Sequence, residues 1–229
     1  MAVRSSSRYT GGVLSGFGPT IASIATARSL LAFVAHPDDV ESWCAGALAL
    51  AADAGATVHL VVATSGESGT SEVVTDDLRT TREAEARAAA QILGIHEPPF
   101  LRLPDGGLAG AEALLPRCRD AVVRYRPDLI LTFDPDRSWS SEPHSDHVAI
   151  GRAARMAAGD AVEAWLFSTA APNRYVNIGP VFERKVAARI AHRSQTADPD
   201  RLRADWTERA RSAGVAAGLS CAEAFRTAR

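Results

Sequence analysis

The sequence has few cysteines, and none are spaced as a disulfide framework or a cysteine zinc site would require. Cys44, Cys118 and Cys221 are odd in number, far apart and without a CxxC spacing. Neither kind of site is therefore indicated, and a reducing compartment is the simpler interpretation. Each cysteine lies in an alanine-rich helical pattern, where a small core residue is commoner than a nucleophile.

Long hydrophobic runs and concentrations of positive charge are also missing. No stretch reaches the ~18 apolar residues of a transmembrane helix. The net charge is −2, and no basic stripe is present. We therefore expect neither a membrane-spanning protein nor one whose main partner is nucleic acid or an anionic membrane surface. No GxGxxG follows the first strand pattern, which disfavours a nucleotide-binding Rossmann protein.

The first residues resemble a signal peptide only in part. Arg4 and Arg8 precede an apolar stretch over 13–27, but glycines and a proline interrupt it. We predict that residues 1–27 form a glycine-rich leading segment, disordered or packed on the surface. The protein is then expected to be cytoplasmic, with secretion as the alternative. Residues 28–229 are predicted to form one domain.

The remaining chain alternates strand and helix patterns. Its 229 residues, 46% of them hydrophobic, are enough for the core of one large α/β domain. The patterns predict a single doubly wound, mostly parallel sheet with helices on both faces, a Rossmann-like fold. Predicted strands cover 30–35, 58–64, 100–103 and 129–133, and predicted helices cover about 44–54, 77–93 and 112–125, with another helix following His147.

A charged motif follows the first predicted buried strand. His36, Asp38, Asp39 and Glu41 bring one imidazole and three carboxylates to the end of that strand. Acids packed there would raise one another's pKa values unless a cation lies among them. An imidazole nitrogen with a carboxylate oxygen suits a zinc-like ion. A solvated acidic turn with an incidental histidine is the alternative.

A second polar motif follows the strand over 129–133. It consists of His144, Ser145, Asp146 and His147, and small apolar residues after it predict a helix. The two histidines would then lie on one face of the first turn, where either could reach a metal. The alternative is a polar helix cap made by Ser145 or Asp146.

With a third segment, these motifs resemble the LmbE-like (PIG-L) superfamily of metal-dependent N-acetylglucosamine deacetylases. Its AHPDD and HxDH motifs correspond to residues 35–39 and 144–147, and its K…A…HxSQ segment corresponds to Lys185, Ala188 and 192–195. The resemblance spans about 30–225. Softer matches are a TxGE-like loop at 64–67, Arg82 with Glu85, an LPDG-like loop at 103–106 and an AExF-like segment at 222–225.

The resemblance implies a set of metal ligands and a base. His36, Asp39 and His147 would bind the metal and leave open positions for water and substrate, as catalytic zinc requires. Asp38 would be the general base for the metal-activated water. The family, and not the spacing, assigns these roles.

The resemblance also implies roles around the substrate. His144 would be the cationic partner that stabilises the oxyanion or protonates the leaving amine, with Asp146 orienting it. Arg82 and Asp105 would recognise sugar hydroxyls. His192 would contact the substrate, or else buttress the site or cap its helix.

The chain departs from the family pattern at several positions. The acid after Asp39 comes one residue late, as Glu41, which resembles the bacillithiol-pathway branch, and Ser145 stands where many relatives have proline. The loop 136–143 lacks the Gly-Tyr-Gly of mycothiol-pathway relatives, so Glu142 offers no tyrosine hydroxyl. Trp139 in this loop could stack on a sugar or apolar group, or simply pack the loop down.

These observations together predict an enzyme. We expect a zinc-dependent deacetylase, with ferrous iron as the alternative metal, that removes an N-acetyl group from a small molecule containing N-acetylglucosamine. That molecule would be a sugar conjugate, a thiol-pathway intermediate or a secondary metabolite. An amidase acting on a thiol-sugar conjugate is the nearest alternative, followed by a catalytically silent sugar-binding protein on the same scaffold. The sequence leaves the aglycone open, and both a monomer and a homo-oligomer are compatible with it.

Overall fold

The computed structural model describes residues 20–141 and 144–227. The described strands form one mixed sheet, in the order β1-β6-β7-β5-β4-β2-β3. The last described strand, β7, is antiparallel to both neighbours, and every other pairing among the described strands is parallel. The predicted mostly parallel α/β sheet is therefore confirmed. In chain order the strands are β1 (Thr20–Ile21), β2 (Ser29–Val34), β3 (Thr57–Val62), β4 (Leu129–Phe133), β5 (Glu163–Phe167), β6 (Arg174–Asn177) and β7 (Ala222–Thr227).

Helices pack on the sheet in two groups. They are α1 (Asp39–Trp43), α2 (Ala45–Asp53), α3 (Leu78–Leu93), α4 (Leu114–Tyr125), α5 (Ser145–Ala158), α6 (Phe182–Ala191) and α7 (Pro199–Gly214). Helices α2, α3 and α6 contact one another, whereas α4 packs with α5. This division is that of a doubly wound fold. None of the described helices is both long and apolar enough to cross a bilayer.

The centre of the sheet determines where a site can form. Strands β2 and β4 are parallel neighbours, with Leu30 paired to Leu129 and Ala32 to Leu131. All four of these side chains are buried. Strand β2 lies between β3, which follows it in the chain, and β4, which the chain reaches by crossing to the other side of β2. Where connections run to opposite sides of a strand in this way, a crevice opens at the carboxyl ends of the strands. The segments that follow β2 and β4 therefore meet at one edge.

Two predicted elements differ from the observed ones. The predicted helix over 44–54 belongs to a longer helical region that is interrupted at Cys44, whose φ of −141° lies outside the helical range. Helix α2 starts afresh there because the carboxylate of Glu223 accepts its first free N–H groups, from Gly46 at 2.9 Å and Ala47 at 2.8 Å.

The predicted strand over 100–103 is reduced to a single bridge. Phe100 pairs with Val62 at the edge of β3. Two residues later, Arg102 has a φ of +53°, in the left-handed region that a strand cannot contain. The segment therefore turns away from the sheet and leads into the loop that carries Asp105.

Residues 20–27, the described part of the predicted leading segment, pack against the domain. Thr20 and Ile21 pair with β6, and Ile24 is buried in the core. Residues 20–27 therefore extend the sheet and its core. Residues 1–19, the rest of that predicted segment, lie outside the described residues.

Candidate active site

Three side chains converge where β2 and β4 end. His36 and Asp39 follow β2, and His147 lies in the first turn of α5, after β4. Nδ1 of His36 is 3.3 Å from Nε2 of His147. The carboxylate oxygens of Asp39 lie 3.5 Å from the first nitrogen and 3.2 Å from the second. Of the two histidines that spacing left open, His147 faces both His36 and Asp39, whereas His144 groups with His36 and Asp146.

This triangle has the dimensions of a zinc site. Four-coordinate zinc with bonds of ~2.0–2.2 Å separates its ligand atoms by about 3.3–3.6 Å. The distances of 3.2–3.5 Å agree with that spacing, with His36 facing Oδ2 and His147 facing Oδ1 of the Asp39 carboxylate. The three residues can therefore hold a zinc-like ion and leave further coordination positions open.

The backbone fixes the orientation of Asp39. Its Oδ2 accepts hydrogen bonds from the N–H groups of Ala35 at 3.1 Å and His36 at 2.7 Å. Burial raises the pKa of Asp39, but His147 and His36 outweigh it and hold that pKa well below its usual range. The side chain is consequently a carboxylate, the form that a metal ligand needs.

A second carboxylate supports His36 from behind. Nε2 of His36, the nitrogen directed away from the triangle, lies 3.1 Å from Oδ1 of Asp105. The other oxygen of Asp105 accepts the N–H of Ser68 at 2.9 Å. Burial lowers the pKa of His36, but Asp39, with Asp105 and Asp38, raises it to about 9. In the structure Asp105 lies where a carboxylate would orient a histidine that binds a metal, and its predicted contact with a sugar hydroxyl stays a prediction.

Two arginines hold the predicted base. Asp38 accepts a hydrogen bond from Nη2 of Arg82 at 2.7 Å, and Nη2 of Arg189 lies 3.4 Å from its other oxygen. Arg82 is buried and also donates to the carbonyl of Gly66 at 2.8 Å. The structure therefore places Arg82 against Asp38, where a sugar contact was predicted. Sequence reasoning missed Arg189, because one arginine in an arginine-rich helix carries no distinguishing signal.

The loop at Gly66 accommodates only glycine beside this arginine. Gly66 has a φ of +70°, and a Cβ there would lie 2.3 Å from Nη1 of Arg82. The TxGE-like loop therefore provides the space in which Arg82 reaches Asp38.

His144 lies next to the three candidate ligands but faces differently. It is the N-cap of α5, and its Nδ1 accepts the N–H of Asp146 at 3.2 Å. Its ring centre is 4.9 Å from that of His36 and 5.1 Å from that of His147. Burial and the charges of these two histidines lower the pKa of His144. In this geometry Nδ1 accepts a hydrogen bond, which leaves the proton of a neutral ring on Nε2; the predicted role of His144 as an imidazolium stays a prediction.

The carboxylate of Asp146 serves the neighbouring loop. Its two oxygens accept the N–H groups of Gly106 at 2.8 Å and Leu108 at 3.0 Å, and the residue is fully buried. Asp146 was expected to orient His144 through its side chain. Its backbone N–H donates to His144, while its carboxylate ties the loop carrying Asp105 to the start of α5 and lies 3.7 Å from Nε2 of His36.

Close packing fixes the ring of His147. It stacks on Phe133, the last residue of β4, with centres 3.9 Å apart. One turn further along α5, a Cβ on Gly151 would lie 2.5 Å from the carbonyl oxygen of Phe133. The glycine therefore allows α5 to approach the strand closely enough for the stack to form.

The third motif is buried. His192 has no exposed surface, and its Nε2 lies 3.4 Å from Oε2 of Glu41, which is also buried. The structure therefore places His192 beneath α1, with no surface available to a substrate. Lys185 of the same motif lies 2.6 Å from Glu223, the residue that caps α2.

Trp139 lies at the surface beside the site. It is 67% exposed, and its ring meets that of Trp43 edge-on at 6.2 Å. Its role in substrate binding stays a prediction. Glu142 and Pro143, at the end of this loop, lie outside the described residues.

Known proteins share both sequence and fold with this chain. The family described as "PIG-L: GlcNAc-PI de-N-acetylase" matches residues 31–158. A 1D-myo-inositol 2-acetamido-2-deoxy-alpha-D-glucopyranoside deacetylase of Nakamurella multipartita is 37% identical over 155 residues, which are 53% of this chain and 51% of that protein. The chain thus spans about half the length of the curated relatives it matches.

Two solved structures illustrate the fold. N,N'-diacetylchitobiose deacetylase from Pyrococcus horikoshii aligns with a TM-score of 0.80 and 23% identity, over 88% of this chain and 84% of its own. GalB, the 4-carboxy-2-hydroxymuconate hydratase from Pseudomonas putida KT2440, aligns with a TM-score of 0.73 and 23% identity, over 88% of this chain and 96% of its own. Since their reactions differ, the fold alone does not determine the chemistry.

Proposed function

Since this chain belongs to the GlcNAc-PI de-N-acetylase (PIG-L) family, we propose that it is a cytoplasmic, zinc-dependent enzyme that removes the acetyl group from a small molecule containing N-acetylglucosamine. The observation that carries the proposal is the triangle of His36, Asp39 and His147, with sides of 3.2–3.5 Å. Ferrous iron accepts the same donors and is the alternative metal.

A metal held by these residues supplies a Lewis acid that polarises an amide carbonyl and makes water acidic near neutral pH. The protein itself must then accept a proton from that water. Asp38 is placed for this step, because it follows directly on the strand end and precedes the ligand Asp39. Arg82 and Arg189 fix the carboxylate in one orientation. Proton transfer to such a positioned base is typically worth ~100- to 10,000-fold in rate.

We assign His144 to the substrate oxygen. Because its Nδ1 accepts the N–H of Asp146, the proton of the neutral ring resides on Nε2. That N–H can donate a hydrogen bond to the oxygen on which negative charge develops. Water adds to the carbonyl carbon, the C–N bond breaks, and the nitrogen departs as an amine with the proton that Asp38 took from water. The products are acetate and a free amino sugar.

The direct test measures metal and product together. Wild-type protein is expected to hold about one metal ion per chain by elemental analysis and to release acetate from N-acetylglucosaminides. His147→Ala should lose both bound metal and acetate release, because one of three ligands is removed. His96→Ala is the matched control: that histidine stacks on His59, away from the ligands, and the variant should keep metal and activity.

The other candidate functions predict different results. Acetate release excludes both a silent sugar-binding protein and a hydratase, since neither frees acetate. Release of an amine from a thiol-sugar conjugate, without acetate from any N-acetylglucosaminide, would identify the amidase instead. Full metal content in folded His147→Ala protein would overturn the ligand assignment.

A further inference from the structure

A cavity beside the candidate metal centre has no part in the steps above. Its volume is about 540 Å³, within the ~300–1,000 Å³ of small-molecule sites. Three of the chain's four tryptophans line it, namely Trp43, Trp139 and Trp206. Indole faces are flat and apolar, and a pocket with several of them suits a flat ring.

The cavity lies beside the candidate metal centre, and two short segments carry residues of both. Asp39 and Trp43 are four residues apart in α1, so both lie on one face of that helix about 6 Å apart along its axis. On the other side, Trp139 belongs to the segment that leads from β4 to His144. Phe133 connects the two regions, because its ring stacks on His147 and meets Trp43 edge-on at 6.5 Å.

One charged side chain of the cavity, Arg209, has no partner among the described residues. The guanidinium of Arg209 lies over the ring of Trp43 at 3.8 Å and approaches that of Trp139 at 5.7 Å. Within residues 20–141 and 144–227 it has no hydrogen-bond acceptor and no carboxylate at ion-pair distance. A guanidinium stacked in this way keeps its edge N–H groups available for a planar anion.

The remaining charges that line the cavity are all paired. Glu223 contacts Lys185 at 2.6 Å, and Glu208 contacts Arg211 at 2.7 Å. Asp205 lies 3.9 Å from Arg201. Among the described residues, the cavity therefore presents three tryptophan rings, carboxylates that each have a cationic partner, and one cation without an acceptor, Arg209, which is a combination complementary to an aromatic carboxylate.

We propose that this cavity binds the group attached to the sugar of the substrate, and that this aglycone is an aromatic ring bearing a carboxylate. That the aromatic group is attached to an N-acetylated sugar rests on the proposed function, whereas the binding of an aromatic carboxylate in the cavity does not. The guanidinium of Arg209 would donate two hydrogen bonds to the carboxylate, and the indole rings of Trp43 and Trp139 would pack against the aromatic ring. Specificity for the aglycone would thus come from α1, α7 and Trp139.

The test compares substrates that differ only in charge. Wild-type enzyme is expected to deacetylate 4-carboxyphenyl N-acetylglucosaminide with a kcat/KM about 10- to 100-fold above that of the neutral 4-carbamoylphenyl analogue, since a charged hydrogen-bonded pair is gained. Arg209→Met, which keeps an apolar stem over Trp43, should abolish this ratio. Arg203→Met, on the same helix but paired with Glu183 away from the cavity, should retain it.

A binding measurement separates the two proposals. Free 4-hydroxybenzoate should quench the indole fluorescence of wild-type protein and of Arg203→Met, and Arg209→Met should bind it at least about 10-fold more weakly. Binding of this kind without acetate release from any sugar supports the cavity and refutes the deacetylase. Acetate release from methyl N-acetylglucosaminide with equal rates for the charged and neutral aryl substrates refutes the cavity proposal alone. An unchanged charge preference in folded Arg209→Met protein also overturns it.

Discussion

Replacing Asp105 by Asn distinguishes two roles that this carboxylate could have. In the structure Oδ1 of Asp105 lies 3.1 Å from Nε2 of His36, on the side of the ring opposite the candidate metal. A carboxylate there fixes the ring orientation and raises the basicity of the ligating nitrogen. An asparagine keeps an oxygen for the N–H of Ser68 but removes the negative charge that His36 faces. We therefore expect the loss to be in metal binding.

The magnitude follows from comparable supporting groups in metal sites. Loss of such a partner costs ~10- to 100-fold in metal affinity, which corresponds to about 1.4–2.8 kcal/mol. The assay is competition of the apo protein against a zinc chelator of known affinity. At saturating zinc, kcat should recover substantially and KM should stay near the wild-type value, because no substrate contact has been removed.

A matched control uses the same substitution at the other end of β2. Asp128 also accepts backbone N–H groups, from Arg28 and Ser29, and Asp128→Asn should leave zinc affinity unchanged. If Asp105→Asn binds zinc as tightly as wild type while KM rises equally for every N-acetylglucosaminide, Asp105 contacts the sugar and the supporting role is wrong.

Two further predictions concern the base and acid stability. Gly66→Ala should lower kcat by up to ~100-fold with metal still bound, because the new Cβ displaces Arg82 from Asp38. The control for backbone strain is Gly55→Ala, since Gly55 also has a positive φ, +87°, but no atoms near its Cβ position; this variant should keep its kcat. Burial opposes ionisation of Asp134, but hydrogen bonds, foremost from Arg226, lower its pKa from 3.8 to about 2. The ionised form thus stabilises the fold above about pH 4, and this contribution is lost as the pH falls towards 2. Asp134→Asn should therefore lose about 1.5–3 kcal/mol of unfolding free energy at pH 7. In urea titrations, the difference in unfolding free energy from wild type should shrink between about pH 4 and 2. A difference that stays constant over this pH range would contradict this account.

The sequence predicts the sheet and the candidate ligands well for a physical reason. Buried parallel strands are continuous apolar runs, and polar residues directly after them must lie at the carboxyl edge of the sheet. The runs at β2 and β4 are adjacent in the sheet although about 100 residues separate them in the chain. Two polar motifs that each follow such a run are therefore brought together, as His36 and His147 are.

Partners of side chains within the site are much harder to predict. Arg82, Asp105 and Asp146 stand at positions that the family resemblance connects with the substrate or with His144, yet here they contact Asp38, His36 and backbone N–H groups. Hydrogen-bond partners depend on ångström-scale geometry that residue spacing does not contain. The interruption of the helix at Cys44 escaped prediction likewise, because the residue that caps α2 is Glu223, far along the chain.

The third motif, which contains Lys185 and His192, lies far from the other two in the sequence but packs against the region of α1. Helix α1 carries the candidate ligand Asp39 but has only five residues, too few to be stable alone. Its underside is held by the C-terminal part of the chain: His192 lies against Glu41, and Glu223 with Lys185 secures the following helix. A short helix that must present a ligand at fixed geometry needs such buried polar contacts, since apolar packing alone would let it slide. The C-terminal motifs therefore lie against the helices that position Asp39, and His192 does so without exposed surface.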